Sequence, residues 1–165
     1  MGKCGLCEIP ITPKLGSGIP GYLHARRGTG VKDDLFAKAI VLETAETTIA
    51  LVSLDVLDLE RDDVIKIRER AYQETSIPKQ NIMVCTTHTH TGSPTVNSFQ
   101  TKRDSDYLSF LIKQASAAIA MAYRDLKPAR IGYGLGCEEG IAFNRRFIMK
   151  DGSVQTNPGV MNPLI

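Results

Sequence analysis

Tryptophan is absent from this 165-residue chain, and aromatic residues make up only 6% of it. So few flat side chains leave little with which to build the stacking platforms that hold single-stranded nucleic acid. An excess of one charge sign is lacking too: 20 basic residues face 18 acidic ones, for a net charge of +2. The pairs Arg26-Arg27 and Arg145-Arg146 are too short to make a polyanion-binding patch, so no nucleic-acid partner is expected. No apolar run is long enough to form a transmembrane segment; the longest, around Ala115–Ala122, is short and alanine-rich. The first residues, Met-Gly-Lys-Cys-Gly-Leu, lack the apolar stretch of a signal peptide, and Leu6 stands where a myristoylation motif needs Ser or Thr. A cytoplasmic setting is the default expectation.

Cysteine is equally uninformative as a scaffold. Cys4 and Cys7 form a Cys-x-x-Cys pair with no second pair behind it, Cys85 lies in an apolar run, and Cys137 sits beside glycines. A structural zinc on Cys4 and Cys7 would lack two ligands. No Gly-x-Ser-x-Gly segment is present, which removes the serine-hydrolase elbow.

What is present is about one domain of ordinary hydrophobic content, 42%. Residues 5–13 read as a strand ending at Pro13. Residues 14–35 are a long glycine-rich, charged loop, of a length that usually serves function. Residues 36–43 and 48–55 read as strands joined by a hairpin. Asp58 is the expected cap of a helix running to about Thr75, with Val64, Ile67 and Ala71 on one face, ended by Pro78. An apolar strand from Ile82 follows, then a polar loop over 94–103. Asp104 or Ser105 caps a second helix whose inner face is Leu108, Leu111, Ile112, Ala115, Ala118, Ile119 and Ala122. Residues 129–136 suggest another strand, and Asp151-Gly152 a hairpin turn. The expected fold is α/β: a mixed β-sheet with helices packed on it, one domain over residues 1–165. The tail from Gln155 to Ile165 has no cap, strand or charged end, so the chain is expected to be the front portion of a larger catalytic domain.

Only three histidines occur, and two of them close the stretch Ile-Met-Val-Cys-Thr-Thr-His-Thr-His-Thr-Gly-Ser over 82–93. If the strand continues through them, His88 and His90 point the same way from its carboxyl end. That arrangement suits two nitrogen ligands on one metal ion, or one ligand beside a proton-handling neighbour. It equally suits a threonine-rich strand end with two solvated histidines. Asp55, ending an apolar strand, is placed either to orient a metal-bound histidine or to cap a turn. His24 in the glycine loop is a candidate third histidine, and Gly21 a turn glycine.

Thr87-His-Thr-His-Thr-Gly-Ser-Pro94 resembles the Thr-His-Thr-His-Ser/Thr-Gly-x-Pro segment of the neutral/alkaline non-lysosomal ceramidase family. Gly21-Tyr22, Gly30-Val31, Leu35–Leu42 and Ile49–Asp55 are similar, in order, to that family's glycine loop and first long strands. Ala142-Phe-Asn-Arg-Arg146, Met149-Lys-Asp-Gly-Ser153 and Thr156-Asn-Pro-Gly159 fit its shorter bacterial forms. The resemblance implies a zinc-dependent amide hydrolase acting on the N-acyl bond of a ceramide or related lipid amide. It implies His88 as a Zn2+ ligand, His90 beside the metal at the scissile group, and Arg145 holding a polar part of the substrate. The family's remaining zinc ligands, a histidine, a glutamate and a tyrosine, would lie downstream of this chain.

Two other readings keep the same residues. A barrel-type amidohydrolase would also use a His-x-His, but needs about 250 residues. A noncatalytic domain that binds a ligand or partner would lack a complete metal site. Uncovered edges in a partial domain predict homo-oligomers.

Overall fold

Alternating apolar residues in the first third of the chain become strands, and the two apolar helical stripes become the helices that cover them. In the computed structural model, which describes residues 2–159 and 161–165, the chain divides into two compact units, Met1–Arg130 and Ile131–Ile165. Met1 and Val160 lie outside the described residues. The first unit runs β1 (Lys3–Pro10), β2 (Gly18–Ile19), β3 (Arg26–Arg27), β4 (Phe36–Glu43), β5 (Thr48–Leu54), α1 (Arg61–Thr75), β6 (Ile82–Thr86), α2 (Ser105–Arg124) and β7 (Lys127–Pro128). Five strands form one sheet in the order β6-β5-β4-β1-β7. β5 and β6 are parallel and the other pairings antiparallel, so the sheet is mixed and the fold is α/β.

One sheet face is small and fully buried: Ala37, Ala39 and Val41 on β4, and Ala50, Val52 and Leu54 on β5. α2 lies across β1, β4 and β5, and α1 packs beside α2. Ile67 and Ala71 of α1 join Leu111, Ala115 and Ile119 of α2 in this core. The approach is closest at Gly5 on β1, where a Cβ would fall 1.8 Å from the Ala122 carbonyl oxygen.

The opposite face is mixed, with Glu8 and Lys38 paired across it at 3.1 Å and apolar rows beside them. Register places Leu6, Ile40, Leu51 and Met83 in one row across four strands, with Leu42 and Ile49 in the next. Within this unit no helix packs over the row, and Leu6 and Met83 are 64% and 54% exposed. Cys4 and Cys7, three apart on β1, point to opposite faces.

The helices differ in how they start. Asp104 caps α2 as expected, its Oδ1 accepting the N–H groups of Asp106 at 3.1 Å and Tyr107 at 2.9 Å. Asp58 does not cap α1: its carboxylate turns back to the N–H of Leu59 at 3.1 Å, and the helix starts after Glu60 without a side-chain cap. α1 stops at Thr75 because Ser76 takes a left-handed turn (φ 59°) two residues before Pro78. β1 stops at Pro10, short of the expected Pro13, where its pairing with Phe36 ends. No described helix is long and apolar enough to cross a membrane.

In the second unit, β8 (Arg146–Ile148) and β9 (Val154–Thr156) pair antiparallel around Asp151-Gly152, with Gly152 at φ 82°. The strand expected over 129–136 does not form. Its alternation sets Ile131, Tyr133 and Leu135 against glycines, and no described strand pairs with it, so Tyr133 and Leu135 stay 88% and 90% exposed.

Gly5→Ala tests the close approach. Crowding the α2 backbone is expected to lower unfolding stability by about 1–3 kcal/mol in urea titration, whereas an unchanged midpoint would mean that α2 sits farther from β1.

Candidate functional site

Parallel strands collect backbone ends and loops at their carboxyl side, where open α/β sheets tend to place ligands. Here β5 and β6 deliver Leu54 and Thr86 to the same edge. The segment after β5 then becomes an anchoring point. The Leu54 carbonyl accepts the N–H of Val56 at 2.9 Å and of Thr87 at 3.0 Å. Asp55 Oδ2 accepts the N–H of Phe36 at 2.9 Å while Asp55 N–H donates to the Phe36 carbonyl at 3.0 Å, locking β4 to the end of β5. The Asp58 carbonyl accepts the Thr95 hydroxyl.

The Leu57 carbonyl points at the histidines. It lies 2.9 Å from His88 Nδ1. A carbonyl oxygen has no proton to give, so Nδ1 carries the hydrogen and the lone pair of Nε2 is left free. His88 itself sits at φ 58°, a left-handed conformation uncommon outside glycine that histidine adopts more readily than most side chains.

That kink corrects the strand-alternation expectation. β6 ends at Thr86, and Thr87, His88 and Thr89 are irregular. The imidazoles come together where the strand has ended and the His88 backbone is left-handed, rather than through a two-residue strand repeat. Their centroids are 5.1 Å apart with planes at 77°. His88 is exposed and His90 half-buried.

Part of the glycine loop closes on His90. Gly21, at φ 84°, leaves a gap that a Cβ would fill to within 2.2 Å of His90 Nδ1. Gly21 N–H donates to Ser98 Oγ at 3.2 Å, tying this loop to the one after the histidines. The Tyr22 ring meets His90 edge to face, with centroids 5.8 Å apart and planes at 83°. The Arg26 guanidinium lies 4.4 Å from the Tyr22 ring centre.

The loop over 94–103 is fastened to α1 by Arg103. Its guanidinium binds Asp63 Oδ1 at 2.7 Å and also pairs with Glu60. Its N–H donates to Asn97 Oδ1 at 3.0 Å, and Asp104 N–H reaches the Pro94 carbonyl at 2.8 Å. Asp63 is fully buried, and its Oδ2 has no hydrogen-bond partner among the described residues.

Of the residues singled out from sequence, His88 and His90 come together. Asp55 is engaged with the Phe36 backbone, and the group on His88 Nδ1 is Leu57. His24 is exposed on the glycine loop. Arg145 lies in the second unit, exposed, with its carbonyl accepting the N–H of Asn157 at 2.8 Å. Leu57 and Arg103 carry no signal in the sequence; Tyr22 stands out there only as part of Gly21-Tyr22, and Arg26 only as part of a short basic pair. An open cavity of about 540 Å³ lies against Leu15, Arg26, Gly28, Leu35, Thr91 and Gly92, and neither imidazole lines it.

For a zinc ion the donor chemistry fits in part. A histidine fixed through Nδ1 by a backbone carbonyl presents Nε2 as zinc-bound histidines do. Among the described residues no group of three or more His, Cys, Asp or Glu side chains is gathered to hold a metal ion, so His88 can serve only as one ligand of a larger set.

No family model matches the chain, and no curated protein matches it in sequence. Solved structures do. The fold is similar to that of a segment of two solved ceramidases. A neutral ceramidase from Pseudomonas aeruginosa matches with a TM-score of 0.68 at 21% identity, over 77% of this chain and 22% of its own. A ceramidase complexed with C2 matches with a TM-score of 0.66 at 20% identity, over the same shares. The chain thus spans about a fifth of the length of these neighbours, and they are of the family whose histidine segment the sequence resembles.

Arg103→Leu would leave Asp63 buried without its cation. The expected cost is about 3 kcal/mol in denaturant titration, with Asp63→Leu in the same background recovering much of it. No loss in the single variant would show the ion pair to be solvated.

Proposed function

We propose that this chain is the front portion of a zinc-dependent amide hydrolase of ceramidase type, cleaving the N-acyl bond of a ceramide or related lipid amide. The observation that carries the reading is the Leu57 carbonyl on His88 Nδ1 at 2.9 Å, with Nε2 making no hydrogen bond among the described residues and the His90 ring centred 5.1 Å from that of His88. The ceramidase-like fold and the His-Thr-His segment support it.

In this reading His88 contributes Nε2 to the metal, and the remaining ligands come from outside the chain. A bound zinc ion supplies carbonyl polarisation and an acidified water. His90 is held next to that position and donates a hydrogen bond to the oxygen on which negative charge develops. Arg145 binds a polar part of the substrate, a role resting on the family resemblance. The uncovered apolar row through Leu6, Ile40, Leu51 and Met83 supports a longer domain whose remainder covers it.

Elemental analysis and fatty-acid release from a short-chain ceramide test the reading in the natural polypeptide that carries this segment. Stoichiometric zinc is expected, lost in His88→Ala and retained in His90→Ala, with hydrolysis lost in the first and lowered on the order of 100–1,000-fold, to a measurable residue, in the second. Zinc retained in His88→Ala would remove its ligand role. No zinc in the unaltered protein would leave a noncatalytic binding domain in its place. Expressed alone, residues 1–165 are expected to self-associate with rising concentration in sedimentation, and Leu51→Lys with Ile40→Lys to reduce it. A strictly monomeric species at high concentration would contradict the uncovered-face account.

A further inference from the structure

The geometry points to Tyr22 as the residue that positions His90, with Arg26 holding Tyr22 in place. The inference rests on the hydrolase reading above and deepens it. The two histidines are fixed by different means. His88 is oriented by a hydrogen bond, whereas among the described residues the ring nitrogens of His90 make none. An imidazole torsion is broad, so a ring without a hydrogen bond swings unless its walls restrict it.

Three walls restrict His90. The Gly21 backbone lies so close that a Cβ there would stand 2.2 Å from Nδ1. The His88 ring meets it at 77° and the Tyr22 ring at 83°. Gly21 and His88 are themselves fixed, one by Ser98 and the other by Leu57. Tyr22 is the wall that depends on a further contact. It lies in the loop of the small β2–β3 hairpin, while Arg26 stands at its base, paired with Ile19. Arg26 makes no ion pair among the described residues; its guanidinium covers the Tyr22 ring at 4.4 Å. Such a cation over an aromatic face is favourable, and edge-to-face packing passes the constraint on to the imidazole. Arg26, Tyr22 and His90 therefore form a series of contacts running from a hydrogen-bonded hairpin base to the donor at the scissile amide. Tyr22 touches His90 rather than the reacting atoms, so it is a positioning residue.

The test combines turnover with a direct reading of the contact. In labelled protein, a nuclear Overhauser effect is expected between the ring protons of Tyr22 and His90, weakened in Arg26→Gln. Tyr22→Leu is expected to lower kcat on the order of 10–100-fold, with KM and the thermal melting curve nearly unchanged. Tyr22→Phe, which keeps the ring, is expected to restore kcat to within a few-fold. In a His90→Ala background Tyr22→Leu should have no further effect, since there is no imidazole left to place. Equal losses in both backgrounds, or no Overhauser effect in the unaltered protein, would overturn the assignment. Unchanged turnover in His90→Ala would instead sink the hydrolase role of His90, and the Overhauser effect would still decide whether the contact exists.

Discussion

The contact on which the candidate site depends is the Leu57 carbonyl against His88 Nδ1. It decides which ring nitrogen is free, on a residue whose backbone stands at φ 58°. The carbonyl is well placed because everything around it is. Leu54 accepts from both Val56 and Thr87, Asp55 binds both backbone groups of Phe36, and Asp58 accepts from Thr95. These bonds join β4, β5, the histidine turn and the loop after it within five residues. A parallel β5–β6 pair is what brings the two chain ends to one edge.

Around that point the site is layered by how each part is held. His88 is fixed by a hydrogen bond, and the loop over 94–103 by a buried ion pair between Arg103 and Asp63. Among the described residues His90 is held by packing alone. Hydrogen bonds and buried charges define one geometry sharply, while packing against Tyr22 leaves a ring that can adjust. A metal ligand suits the first kind of support and a group that follows a moving charge suits the second.

Much of the scaffold was legible from the chain because its patterns were long. The α2 stripe from Leu108 to Ala122 and the alternation through β4 and β5 each have enough repeats to name an element and a face. Short-range chemistry was harder to read. Asp58 looked like a helix cap, but its carboxylate found the adjacent Leu59 N–H first. Residues 131–136 alternate as a strand does, yet a strand needs a neighbour and none is supplied among the described residues. The histidine pair was found for its composition and placed by an incorrect rule: the repeat of a strand stops at Thr86, and the imidazoles come together beyond it, where the His88 backbone is left-handed. Leu57 could not have been found at all, since its contribution is a backbone oxygen that carries no side-chain signature.

The most direct measurement is the tautomer of His88 by long-range proton–nitrogen correlation on labelled protein, at a pH where the imidazole is neutral. The Leu57 contact predicts a protonated Nδ1 and an unprotonated Nε2. The opposite pattern, with the proton on Nε2, would mean that the carbonyl does not hold this ring and that His88 is not prepared to bind a metal ion.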